Sequence, residues 1–384
     1  MITIRPGSHV FWLMTMLSVV GEFPVSSLHL FGSARSWRDL VRRLDMVQDF
    51  RFPQPEEAYT CRMLNIANRG QLKTIRFYKG GLELLQKLDS EAYQYYLDSF
   101  SNHHFRGDIE HLERNHRVAE AVVMCMQAGI EVRPTRLAEL QLEEKQSVLQ
   151  DQAAMYLGRD LKKVLDTEVN KTMYSRMVGS IFYPGGCYAV YNSRNALMKW
   201  AGTAEMKVQL SLTNIGRLNG CSAEFDSAVI FGSSYDLALR ILAAHSKERR
   251  FDLRFDLVYQ HVHFVTLDPH GIELLKLLTT ENWKEQLLDL LFEPKNRSYN
   301  MGMFEYDAKV NDIYIFSYLD SDIARLIRFR EALSLHEFAY EILCYPEQVE
   351  LLRSYMGTEA KLRTIELKQV LELVAPKRRS LFEE

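Results

Sequence analysis

The chain has 384 residues, of which 47% are hydrophobic and 25% charged, with a formal net charge of −3. Those proportions exclude a disordered polyelectrolyte, a collagenous chain and a disulfide miniprotein, and the length suits two or more domains. A chain that is slightly acidic overall is no polycation, so any nucleic-acid surface must be a local concentration of Lys and Arg. Cys61, Cys125, Cys187, Cys221 and Cys344 are odd in number, and none forms a C-x-x-C pair. Free thiols in a reducing, cytoplasmic setting are the expectation. Val10–Val20 is apolar but too short to span a bilayer and has no cleavage pattern after it, so it is expected to be a folded helix, with no membrane contact.

In chain order, Val10–Val20 reads as a helix ending at Gly21 and Pro24. Ser26-Ser27 suits the start of a short helix through Leu30. Gly32-Ser33 then precedes a third helix, from about Ala34 to Val47, with Ser33 as its N-cap. Pro53 and Pro55 break the chain. Tyr59–Ile66 and Gln71–Tyr78 flank Ala67-Asn68-Arg69-Gly70, which predicts a β-hairpin. Gly80-Gly81 opens a helix carrying Leu82, Leu84, Leu85 and Leu88. Three helices, a hairpin and a closing helix predict a winged helix-turn-helix over residues 1–88.

Residues 89–165 read as a helical connector, with a helix from Val118 to Ala128 and another over Leu137–Asp166 whose composition also suits a homodimer contact. Residues 166–384 alternate strands and helices, which predicts an α/β domain with a mixed sheet. Its strands are expected at Val178–Tyr183, Cys187–Asn192, Ser227–Phe231, Val258–Leu267, Ile313–Tyr318 and Phe338–Tyr345, and its helices at Tyr235–Ala244, Gly271–Leu278, Asp322–Ala332 and Glu347–Tyr355. No internal repeat of fixed period is visible.

The strongest functional signal lies on the third helix. At about 100° per residue, Arg35, Arg38 and Arg42 share one face while Trp37, Leu40, Val41 and Leu44 gather opposite. A recognition helix in a major groove needs that division. Between Ser33 and Lys79 there are ten Lys or Arg residues against five Asp or Glu. Arg35, Arg38, Arg42, Arg43, Arg69 and Lys73 are therefore the candidate DNA contacts, with double-stranded DNA as the expected partner. The rival reading is a winged helix used for protein docking.

Glu205-Met206-Lys207 matches the acid-x-Lys triplet of metal-dependent nucleases, which set it on a strand to hold Mg²⁺ and position water. The preceding hairpin lacks an acidic partner, so the expectation is an inactive nuclease-like domain; an active Mg²⁺-dependent nuclease using Glu205 and Lys207 is the rival. His261 and His263 fall on one face of a strand, but spacing indicates no third ligand, so no metal site is expected. Gly232-Ser233-Ser234 reads as a tight strand-to-helix turn, and no cofactor motif is present.

The basic helix Ser33–Val47, the wing leading into Lys79-Gly80-Gly81-Leu82-Glu83-Leu84-Leu85, the helix end Gln127-Ala128-Gly129-Ile130-Glu131, the hairpin Tyr183–Asn192, Lys199-Trp200 and Glu205-Met206-Lys207 together resemble the replication-relaxation family of plasmids, phages and integrative elements. The resemblance implies an N-terminal winged helix, a C-terminal α/β region similar to a restriction-endonuclease core, and DNA association in replication, transfer or transcriptional control. Replication or mobilisation proteins would be its partners.

Overall fold

The computed structural model describes residues 1–53, 56–69, 72–100, 109–132, 153–164, 176–198, 202–218, 225–245, 255–298, 304–335 and 338–374. The chain is mixed α/β. Strand β1 (Ile2–Thr3) precedes helix α1 (His9–Val20), whose N-cap Ser8 accepts a hydrogen bond from the Phe11 N–H. Strand β2 (Glu22–Pro24), a 3₁₀ helix (Val25–Phe31) and helix α2 (Ala34–Leu44) follow. Ser33 caps α2, as its sequence suggests, but the helix stops at Leu44 and Val47 already begins a strand.

The region predicted as one hairpin divides between two sheets. Strand β3 (Val47–Pro53) pairs antiparallel with β4 (Glu56–Arg62), and β1 lies parallel to β3. Strand β5 (Leu64–Arg69) pairs with β6 (Leu72–Phe77), and β6 also takes β2, giving the order β2-β6-β5. Met63 is the break: its N–H bonds to Leu44 O and its carbonyl accepts from Tyr78 N–H, so the chain changes sheet there. Helix α3 (Lys79–Leu88) packs closely on this turn, for a Cβ at Gly81 would lie 2.2 Å from Met63 O.

Helices α4 (Ser90–Ser99) and α5 (Ile109–Gln127) come next. The predicted connector is then interrupted by strands β7 (Glu131–Val132) and β8 (Ala154–Leu157), followed by helix α6 (Gly158–Val164). Both strands belong to the large sheet, so that sheet starts well before residue 166. Residues 137–152 and 165–166 of the helix expected over Leu137–Asp166 lie outside the described residues.

The C-terminal region contains one topology twice. An antiparallel hairpin, β9 (Met177–Tyr183) and β10 (Gly186–Arg194), leads to helix α7 (Thr203–Leu218), β11 (Ser227–Gly232) and helix α8 (Tyr235–His245). After the short helix α9 (Phe255–Val258) come β12 (His261–Thr266) and helix α10 (Pro269–Leu278). Helix α11 (Trp283–Leu291) separates this half from a second hairpin, β13 (Ala308–Val310) and β14 (Ile313–Ser317). Helix α12 (Ile323–Leu335), β15 (Tyr340–Cys344), helix α13 (Val349–Met356), β16 (Lys361–Thr364) and helix α14 (Leu367–Val374) then repeat the alternation. The sheets run β12-β11-β10-β9-β8-β7 and β13-β14-β15-β16, with parallel pairing along β10-β11-β12 and β14-β15-β16.

The large sheet is buried on both faces, with period-two alternation deciding which core each residue joins. Val190, Val229, Phe231 and Val265 join the core shared with α1, α5 and the N-terminal strands. Ala189, Ala228, Ile230 and Phe264 join the core shared with α7, α8 and α12. Buried Glu120 of α5 ties the parts together, accepting from Ser27 Oγ at 2.6 Å and Asn192 Nδ2 at 3.1 Å while pairing with Arg194 at 3.1 Å.

Candidate functional site

The first candidate is the exposed face of α2. Trp37, Val41 and Leu44 are buried, and the Trp37 indole N–H donates to Phe31 O at 3.0 Å. Asp45, just past the helix, accepts from Arg62 Nη2 at 2.6 Å and from the Ile66 N–H at 3.0 Å, fixing the helix end against β5. With that face anchored, Arg35, Arg38, Arg42 and Arg43 are all exposed. Asp39 lies 3.6 Å from Arg42, a solvent-exposed pair that orients the guanidinium weakly. Lys73 is exposed on β6, and Arg69 ends β5 beside residues 70–71, which lie outside the described residues.

Glu205 and Lys207 do not converge. Both lie in the first turns of α7 rather than on a strand, about 200° apart around the helix. Glu205 is buried against Arg176 Nη1 at 3.3 Å, whereas Lys207 is exposed. Asp166, Glu168, Lys199 and Trp200 lie outside the described residues.

The second candidate is a cleft of about 470 Å³ at the seam between the two large sheets. Residues 320–322 run along the free edge of β12: Phe264 N–H donates to Ser321 O at 2.9 Å, and His263 and Asp322 form an isolated antiparallel bridge. Ser321 adopts φ 50°, a left-handed conformation costly for a residue with a Cβ, and its Oγ accepts from Gln348 Nε2 at 2.6 Å. That turn directs two carboxylates to the strand edge. Asp322 Oδ1 accepts from the N–H groups of Val262, Ala324 and Arg325 at 3.0–3.1 Å, capping α12 and satisfying the edge of β12 together.

The alternation of β12 sets His261 and His263 on one face, and their rings stack with centroids 6.3 Å apart. His261 Nδ1 lies 2.7 Å from Asp322 Oδ2; His263 Nδ1 lies 2.8 Å from Asp320 O. Burial works against a charge on His261, but the hydrogen bond and charge of Asp322 outweigh it and raise its pKa. Burial likewise penalises the Asp322 carboxylate, yet the His261 hydrogen bond and the nearby imidazoles hold it well below the carboxylate range. At His263 burial prevails over both aspartates and lowers the pKa, leaving a neutral ring.

Cations complete the cleft. Lys284 Nζ lies 2.5 Å from Asp320 Oδ2 and 3.9 Å from Asp307 Oδ1. Arg325 Nη2 donates to both carboxylate oxygens of Asp307 at 3.0 and 3.1 Å, and its Nε donates to Glu305 at 3.1 Å. Among the described residues, His263, Asp320 and Asp322 form the one group able to hold a metal ion, each offering a ligand atom within 4.8 Å of the others. Spacing shows the two histidines; the carboxylates come from almost sixty residues downstream, where Asp320-Ser321-Asp322 carries no motif of its own.

No helix among the described residues is long and apolar enough to cross a membrane. No protein-family profile, curated protein or solved structure matches the chain.

Proposed function

We propose that residues 1–88 form a winged helix-turn-helix that binds duplex DNA, with α2 as the recognition helix. The observation that carries this reading is the division of α2: Trp37, Val41 and Leu44 buried, and Arg35, Arg38, Arg42 and Arg43 exposed. The element order supports it: α1, β2, the 3₁₀ helix, α2 and the β5–β6 hairpin, with β2 antiparallel to β6. The β3–β4 ribbon is an insertion into that order. Arginine is suited to both tasks, as a bidentate reader of guanine edges and as a phosphate contact. A role in replication, transfer or transcriptional control of a mobile element, which the family resemblance implies, would operate through this same surface.

The α/β region would position that module rather than cleave through Glu205 and Lys207. What supports this is the burial of Glu205 against Arg176 and the separation of Lys207 from it on α7.

Fluorescence anisotropy with duplex DNA across a salt series tests the proposal. The logarithm of the binding constant should fall with log salt by about 0.9 per phosphate neutralised. Arg38→Ala/Arg42→Ala, checked for folding by circular dichroism, should bind more weakly and with a shallower slope. A folded double variant that binds as the parent does, or a parent with no salt-dependent binding, would overturn DNA binding in favour of protein docking.

A further inference from the structure

We infer that the cleft at the sheet seam binds a divalent first-row transition metal through His263, Asp320 and Asp322. The three side chains are buried, and their ligand atoms lie within 4.8 Å of one another. The second, independent observation is the state of His263. Only 7% of the residue is exposed, its Nδ1 is held by Asp320 O at 2.8 Å, and its Nε2 has no hydrogen-bond partner among the described residues while the ring lines the cleft. An Nδ1–H donated to a carbonyl fixes the tautomer and leaves Nε2 with a bare lone pair, the arrangement in which histidine ligates metals.

The remaining ligands are prepared in the same way. Asp322 Oδ1 is saturated by three backbone N–H groups, while Oδ2 accepts only from His261, so a lone pair remains on it. His261 thereby acts as an outer support that orients a ligating carboxylate. Asp320 Oδ2 faces the Lys284 ammonium, which also leans toward Asp307. The Lys284 ammonium at 2.5 Å and, farther off, the Arg325 guanidinium at 3.8 Å thus already sit on the carboxylate oxygen a metal would take, and an incoming ion must displace the ammonium. One imidazole with two carboxylates favours Mn²⁺, Fe²⁺ or Zn²⁺ over Ca²⁺ and Mg²⁺, which prefer oxygen alone. Three protein ligands would leave coordination positions open to the cleft.

The inference is independent of DNA binding and is tested without DNA. Chelator-stripped protein is titrated with Mn²⁺ and with Zn²⁺ by calorimetry, and the Mn²⁺-loaded parent is examined by pulsed electron paramagnetic resonance. One equivalent should bind, with nitrogen modulation from a single imidazole. His263→Gln and Asp320→Asn, each folded by circular dichroism, should bind at least tenfold more weakly; His29→Ala, at an exposed histidine, should bind as the parent does. Lys284→Met should bind more tightly than the parent, because the competing ammonium is gone, and should gain more thermal stability on adding metal; a merely structural lysine gives neither effect. No binding at millimolar Mn²⁺ or Zn²⁺, or binding without a nitrogen signal, would overturn the site. So would Lys284→Met binding no more tightly than the parent. If the single-ligand variants fail to fold, the nitrogen signal in the parent and the Lys284→Met affinity decide the matter alone.

Discussion

His261 and Asp322 hold one another across the seam between the two sheets, Nδ1 to Oδ2 at 2.7 Å, with Asp322 fully buried. Their interaction makes stability depend on pH in two windows. His261 has its folded pKa raised, so its contribution is complete below about 6.5 and fades as pH rises through the folded value. Asp322 has its folded pKa depressed, so its contribution is present above about 3.9 and is lost as pH falls. The groups facing His261 are Asp322 and Asp226, which favour its charge, Lys284, which opposes it, and the His263 ring stacked on it. In chelator, His261→Gln should therefore lose more stability relative to the parent at pH 6 than at pH 9, measured by urea unfolding. An equal loss at both pH values would show that the imidazole acts only by packing.

Asp322→Ala removes the helix cap, the partner of the Val262 N–H and the partner of His261 in one step. Breaking a buried charged network at one member costs about 3–5 kcal/mol. Thermal unfolding should show a loss of that order, larger than for His261→Gln.

On α2, the two faces should respond in opposite ways. Trp37→Ala deletes a buried indole and its hydrogen bond to Phe31 O, and should cost about 3–5 kcal/mol. Arg38→Ala, on the exposed face, should stay within about 0.5 kcal/mol. Urea unfolding of the two variants compares them directly, and a destabilised Arg38→Ala would mean that this face packs against something.

Much of this was legible in the sequence where a signal is local. Ser33 caps α2, the strand predicted at Ser227–Phe231 runs from Ser227 to Gly232, and the helix predicted at Tyr235–Ala244 runs to His245. The signal failed where pairing is decided at a distance. Tyr59–Ile66 reads as one strand because no Gly or Pro interrupts it; its alternation changes phase between Met63 and Leu64, where the chain leaves β3 as partner and takes β6. Strands of two to four residues such as β7, β13 and β16 are too short to carry a period. The repeated topology is invisible for a related reason: chain order is repeated, not residue identity. The cleft depends on His263 meeting Asp320 and Asp322 through a turn at Ser321, a non-glycine residue at positive φ that no turn rule predicts.

Gly271→Ala should disturb the cleft from behind. Gly271 is the third residue of α10, and a Cβ there would lie 1.8 Å from Thr266 O, the carbonyl that ends β12. Backbone must move, which costs about 1–3 kcal/mol. Hydrogen exchange at Phe264 and Val265 should be faster in the variant than in the parent; unchanged protection would mean that α10 yields instead of β12.

The two halves of the C-terminal region also repeat an ion pair with its charges exchanged. In the first, Arg176 immediately precedes β9 and pairs with Glu205, the third residue of α7. In the second, Asp307 immediately precedes β13 and pairs with Arg325, the third residue of α12. Their surroundings differ. Arg176 is 38% exposed, whereas Arg325 is 8% exposed, lies over the Phe316 ring and meets Asp307, Glu305 and Asp320. Water screens the first pair on one side and is excluded from the second, so the same topological contact should carry different weight. Arg325→Met should cost about 3–5 kcal/mol because it strands Asp307, which burial would otherwise neutralise and which Arg325 and Lys284 hold ionised. Arg176→Met should cost less, about 1–3 kcal/mol: it leaves the buried Glu205 carboxylate without this guanidinium, but the vacated site is open to water on the Arg176 side. Double-mutant cycles, Arg325→Met with Asp307→Asn and Arg176→Met with Glu205→Gln, measured by urea unfolding, should give a coupling of at least about 2 kcal/mol for the first pair and below about 1 kcal/mol for the second. Equal couplings would mean that exposure does not set their strength, and that the pairs are held by their shared place in the hairpin-to-helix turn.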